Sequence, residues 1–168
     1  MKKLFLILLF VLASGRLAAN SGGDIFSYFT EFSFKDVRPL IEFQISPTTP
    51  IHTLASIQYS VDIGLNYKNT ELAVFFMQRA GQSLVGDIYG GAGAEFSYIF
   101  NFASSGGADF NLDAGVGYAL YSNGTAYDNT QQAVSYFAGV SAYFRDKLIL
   151  GFKYHNIKGT GLSLGWLF

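Results

Sequence analysis

Gly161-Leu162-Ser163-Leu164-Gly165-Trp166-Leu167-Phe168 is the stretch whose reading decides the fold. Leu162, Leu164, Trp166 and Phe168 share one parity; Gly161, Ser163 and Gly165 share the other. Successive strand residues point to opposite faces, so one face is large and apolar and the other small and polar. The apolar face is expected to meet no covering segment after Phe168. A soluble protein would leave it wet, whereas a bilayer would cover it.

The same alternation recurs upstream. Ala55, Ile57, Tyr59, Val61, Ile63, Leu65 and Tyr67 alternate with Ser56, Gln58, Ser60, Asp62, Gly64 and Asn66, a run too long for most soluble edge strands. Pro39, Ile41, Phe43 and Ile45 oppose Leu40, Glu42, Gln44 and Ser46. Leu72, Val74 and Phe76 face outward with Arg79 inward, followed by the row from Ala92 to Phe100 opposite Gly91, Gly93, Glu95 and Ser97. Phe110 to Leu120, Val134 to Phe144 and Leu148 to Tyr154 supply three more outer rows. Asp109, Asp113, Ser135, Ser141, Lys153 and His155 lie on the inner parity. Apolar-out, polar-in alternation over segments of about ten residues is the signature of a transmembrane barrel. The final segment resembles the C-terminal signal of bacterial outer-membrane β-barrels. That resemblance implies that the barrel assembly machinery reads Leu164, Trp166 and Phe168, and that a Phe168 deletion lowers outer-membrane levels.

Composition agrees. Charged residues make up 14% and aromatics 17%, with 19 Gly and no Cys. Helical bundles seldom want so much Gly, Tyr and Phe, while twisted strands do. Without Cys there is no disulfide scaffold, lipidated Cys or thiolate metal site. Lys2 and Lys3 precede an apolar core, Leu4 to Ala13, too short for a spanning helix of about 20 residues. It reads as a cleaved signal peptide, residues 1–19, and implies export to the outer membrane. The formal net charge of -1 includes Lys2, Lys3 and Arg16; losing them takes it to -4. Nothing is basic enough for nucleic acid.

Counting back from Phe168 gives eight strands, the first spanning Arg38 to Ser46, in an all-β, antiparallel, up-and-down transmembrane barrel over 38–168. Bacterial barrels have even strand numbers, so Asp24 to Phe34 belongs to a pre-barrel segment, 20–37. It fits an interfacial amphipathic helix or a broken first strand. Asn101–Gly107 reads as a polar connection. The count places Thr48–Thr53, Gly81–Asp87, Ser122–Gln131 and Asn156–Thr160 outside the cell, and Arg145–Lys147 in the periplasm. A soluble β-sandwich also alternates; signal peptide, final Phe, strand length and aromatic outer rows together favour the barrel.

Eight strands leave a bore just wide enough to be filled by side chains. The expected lumen network holds Glu42, Asp62, Glu95, Asp109 and Asp113 against Arg38, Arg79 and Lys153. Such charges must pair or meet water. Inner glycines are expected to pack beside large inward side chains such as Tyr89 and Tyr143. No cofactor is expected, and His52 and His155 are too few for a metal site.

Gly151-Phe152-Lys153-Tyr154-His155-Asn156-Ile157-Lys158-Gly159 resembles the Gly-x-Arg-Tyr-x-His-x-Ser-Asn stretch of outer-membrane lipid A deacylases. Without a gap, Asn156 and Lys158 occupy the His and Ser positions; a shift by one restores His155 but puts Ile157 where Ser stands. An acid matching the family's third member is missing from Gly161–Phe168. A hydroxyl nucleophile needs a base and an orienting group. The reading is therefore a monomeric, non-enzymatic, porin-like surface or envelope barrel in contact with outer-membrane lipid, passing small solutes at most. The alternative is a lipid A-modifying enzyme with His155 as base.

Overall fold

Period-two alternation closes on itself here. The computed structural model describes residues 33–48, 56–80, 88–123, 130–145 and 147–168. Eight strands run β1 (Val37–Thr48), β2 (Ser56–Tyr67), β3 (Thr70–Ala80), β4 (Ile88–Ser105), β5 (Ala108–Asn123), β6 (Thr130–Phe144), β7 (Leu148–His155) and β8 (Gly159–Leu167). Each pairs antiparallel with its sequence neighbour, and β1 pairs with β8, giving a closed up-and-down barrel. Closure leaves no long edge among the strands. The chain divides into Met1–Asp36 and Val37–Phe168. Of the first unit, a single 3-10 turn is described, Phe34–Asp36. The interfacial-helix reading of Asp24–Phe34 falls mostly outside the described residues, as does the signal peptide.

The turns explain the register. Gly106 and Gly107 both adopt positive φ, 62° and 81°, as the two-residue hairpin between β4 and β5 requires. Lys68 and Arg145 also take positive φ at the β2–β3 and β6–β7 turns. These three turns, the start of β1 and the end of β8 lie at one end, called here the terminal end. Asn101–Gly107 corrects the sequence reading: β4 runs to Ser105 and pairs there with Ala108. Its Asn, Ser and Gly residues resemble a loop, yet a register shift between Asn101 and Ala103 keeps the ladder intact. The longest ladder is β4–β5, Ile88↔Asn123 to Ser105↔Ala108. The ladder of β1 with β8 is shorter than that with β2, running from Leu40↔Leu167 to Ile45↔Leu162.

Over the described residues, the outer rows expected from sequence face out, including Leu162, Leu164, Trp166 and Phe168. Inside, two apolar clusters fill the bore. Leu40, Ile149 and Leu167, with Tyr143, form the one nearer the terminal end. Phe75, Met77, Ala119 and Ile157, with Tyr121 and Ala133, form the other. The inner glycines are close-packing sites beside large inward side chains such as Phe75 and Phe137, as expected; the Tyr89 side chain lies outside what the structure describes. A Cβ on Gly93 would meet Phe75 Cζ at 2.6 Å, and one on Gly139 would meet Lys153 Cγ at 2.7 Å.

Candidate functional site

Charged side chains gather between the two apolar clusters. The order along β7 and its following turn shows the layering: Ile149, then Lys153 and His155, then Ile157. Inward parity on β1, β2 and β4 brings Glu42, Asp62 and Glu95 to the same layer. Lys153 Nζ lies 2.7 Å from Glu42 Oε1 and 2.8 Å from Oε2. Lys158 Nζ donates to Asp62 Oδ2 at 2.6 Å and to Glu95 Oε2 at 3.3 Å. His155 Nε2 bonds Glu95 Oε1. His155 Nδ1 accepts from the backbone N–H of Ile157 and of Lys158, both at 3.0 Å. With Nδ1 accepting, the ring proton sits on Nε2 and points to Glu95.

Aromatic rings complete the layer. His155 stacks on Phe137, centroids 6.0 Å apart, and meets Phe75 edge-on at 5.6 Å. Nearer the terminal end, Glu71 accepts from Tyr143 Oη at 2.8 Å and from Asn66 Nδ2 at 3.2 Å. Asp113 is also buried and inward-facing.

Lys158 was missed by sequence reading, which placed Asn156–Thr160 as an outer connection. The connection is there, and its Asn156–Lys158 turn folds into the bore, leaving Ile157 and Lys158 buried. Gln58 Nε2 donates to the Ile157 carbonyl and Gln44 Nε2 to the Gly159 carbonyl, each at 3.1 Å. Gly159, at φ 81°, lets the chain turn back into β8. The other expected network members divide. Glu42, Asp62, Glu95 and Lys153 meet in the layer, with Lys158 holding two of the acids.

Arg38 and Asp109 lie elsewhere. They line a polar cavity of about 340 Å³ at the terminal mouth, together with Asn66, Asn111, Tyr143 and Leu167. Asp109 accepts there from Ser104 Oγ. Arg79 is inward-facing on β3, beyond Met77 from the layer.

Two apolar plugs and a cross-linked charged layer fill the bore. Planar bilayers holding the protein should therefore show no sizeable steady conductance; a stable open level would contradict the packing. Among the described residues, no group of three or more His, Asp or Glu is placed to hold a metal ion. No protein-family model matches this sequence, and neither does any curated protein.

Proposed function

We propose that this protein is a monomeric barrel of the bacterial outer membrane, with a closed bore and a structural or surface role rather than a catalytic one. The observation that supports it is the wall. Ile63, Val74, Phe76, Leu112, Val140 and Phe152 are all large, apolar and about half exposed around the circumference. An exposed apolar surface this continuous is out of place on a soluble monomer. Its two borders differ from its middle. Tyr59 donates to Gln78 Oε1 at 3.2 Å and Tyr118 pairs with Gln132 near the far end. Phe100, Phe110, Phe144, Trp166 and Phe168 ring the terminal end. Aromatic and amphipathic side chains at both borders of an apolar band suit the two interfaces of a bilayer. In this reading the terminal end faces the periplasm and the barrel assembly machinery inserts the chain.

Lipid A deacylation draws no support from His155. That side chain is 1% exposed inside the bore with both ring nitrogens engaged, whereas membrane acyl chains would meet the outer wall.

Val74 lies midway along β3, facing out. Val74→Arg should cost about 2–4 kcal/mol for folding in a bilayer, the usual effect of a cation at the midplane of a barrel's lipid face. Surface substitutions in water stay within about 0.5 kcal/mol. Urea titration in lipid vesicles checks this, and an undiminished stability would overturn the membrane reading.

A further inference from the structure

The Lys158 ammonium sits in a cage. Asp62 Oδ2 at 2.6 Å and Glu95 Oε2 at 3.3 Å accept its protons, and the Phe75 ring lies beneath it, centroid 4.6 Å away. Two carboxylates supply charge-assisted bonds and the ring supplies a cation–π contact. His155 fixes Glu95 from the other side. The neighbouring cluster of Phe75, Met77, Ala119 and Ile157 offers an apolar lining for a short hydrocarbon stem.

The cage and its occupant have different origins in the fold. Asp62, Phe75 and Glu95 stand on β2, β3 and β4, three consecutive strands held by long ladders. Lys158 comes from the other side of the bore, on a turn outside the β7–β8 ladder, which stops at His155↔Gly159. The backbone positions of the three wall groups are thus set by ladders that do not include the turn.

We propose that Asp62, Glu95 and Phe75 form a binding site for a primary alkylammonium group, which the protein fills with its own Lys158 as a tethered ligand. Tethering gives Lys158 a high effective concentration at the site, so an external amine competes poorly while the turn is in place. The ligand class follows from the walls. N–H donors answer the two carboxylates, a single positive charge answers the ring, and a short alkyl stem answers the apolar lining.

Chemical rescue tests this. Lys158→Ala removes three methylenes and the ammonium, which n-propylammonium replaces. The variant is refolded from urea into detergent micelles with n-propylammonium, n-propanol or sodium chloride, and the folded fraction is read from gel mobility. At about ten times its dissociation constant, n-propylammonium should shift the variant's folding equilibrium roughly tenfold. Wild type should not respond at that concentration, and neither should Lys158→Ala with Glu95→Gln. Should Lys158→Ala not fold unaided, folded barrel appearing with n-propylammonium and not with n-propanol is the same supporting result. An equal response to sodium chloride or n-propanol overturns the ligand class. An equal response of wild type overturns the tether. No response of Lys158→Ala, folded or not, overturns the site.

Discussion

Lys153→Ala is expected to lose about 3–5 kcal/mol of folding stability, the usual cost of breaking a buried ion pair by removing one partner. The effect is large because Glu42 stays behind. It is 3% exposed, and Lys153 approaches both of its oxygens. Against a typical total of about 5–15 kcal/mol, such a loss is a large fraction of the stability. Replacing the pair together, Glu42→Leu with Lys153→Met, should recover most of it, because apolar side chains of similar volume need no counter-charge. Urea unfolding of the three proteins is the measurement. A Lys153→Ala barrel as stable as wild type would mean that water reaches Glu42, and the closed bore would be wrong.

Phe75→Ala is the second large effect, expected to cost about 3–5 kcal/mol as a large-to-small change in a packed core. Phe75 is 1% exposed. It fills the bore opposite Gly93, touches His155 edge-on and lies under the Lys158 ammonium. Its loss therefore removes apolar packing and the floor of the ion-pair layer together. Gly93→Ala on its own crowds the ring and should also destabilise, by about 1–3 kcal/mol. Combined, the two changes should cost less than their sum, since residues in contact couple. The added Cβ still meets the Tyr118 carbonyl oxygen at 2.7 Å, so recovery stays partial. Strict additivity would show that the two positions do not share the space assigned to them.

The barrel was legible in the sequence because wall residues obey a period of two and a closed bore enforces it. Glu42, Asp62, Glu95 and Lys153 could be placed inside from parity alone. β3 was harder. Phe75 and Phe76 put a large ring on each face, so alternation of size disappears there, and neither Phe75 nor Glu71 was recognised as inward. Lys158 lay beyond this logic, since a turn has no parity. What turns it inward is tertiary: amide donors from Gln44 and Gln58, Gly159 at positive φ, and two carboxylates waiting for a cation. The only local signal was Gly159 itself. Arg38, Arg79 and Asp109 have the inner parity read for them and stand at other heights along the bore than the ion-pair layer, which composition does not encode.

The pairing of β1 with β8 has a consequence for the order of folding. Hairpins such as β4–β5 join residues close in sequence, and their contacts can form as soon as both strands exist. The pairing of Leu40 with Leu167 joins the first strand to the last and must close a loop containing all the others. Loop closure of that length is entropically the most expensive in the molecule, and it returns only a short ladder. Glu42 stands on the first strand and Lys153 on the seventh, so their ion pair also waits for closure. The central hairpins should therefore assemble early, with the β1–β8 junction forming late and opening first. Until that junction forms, the chain presents two unsatisfied strand edges, and a partner that holds them apart from other chains protects the only step no local hairpin can perform.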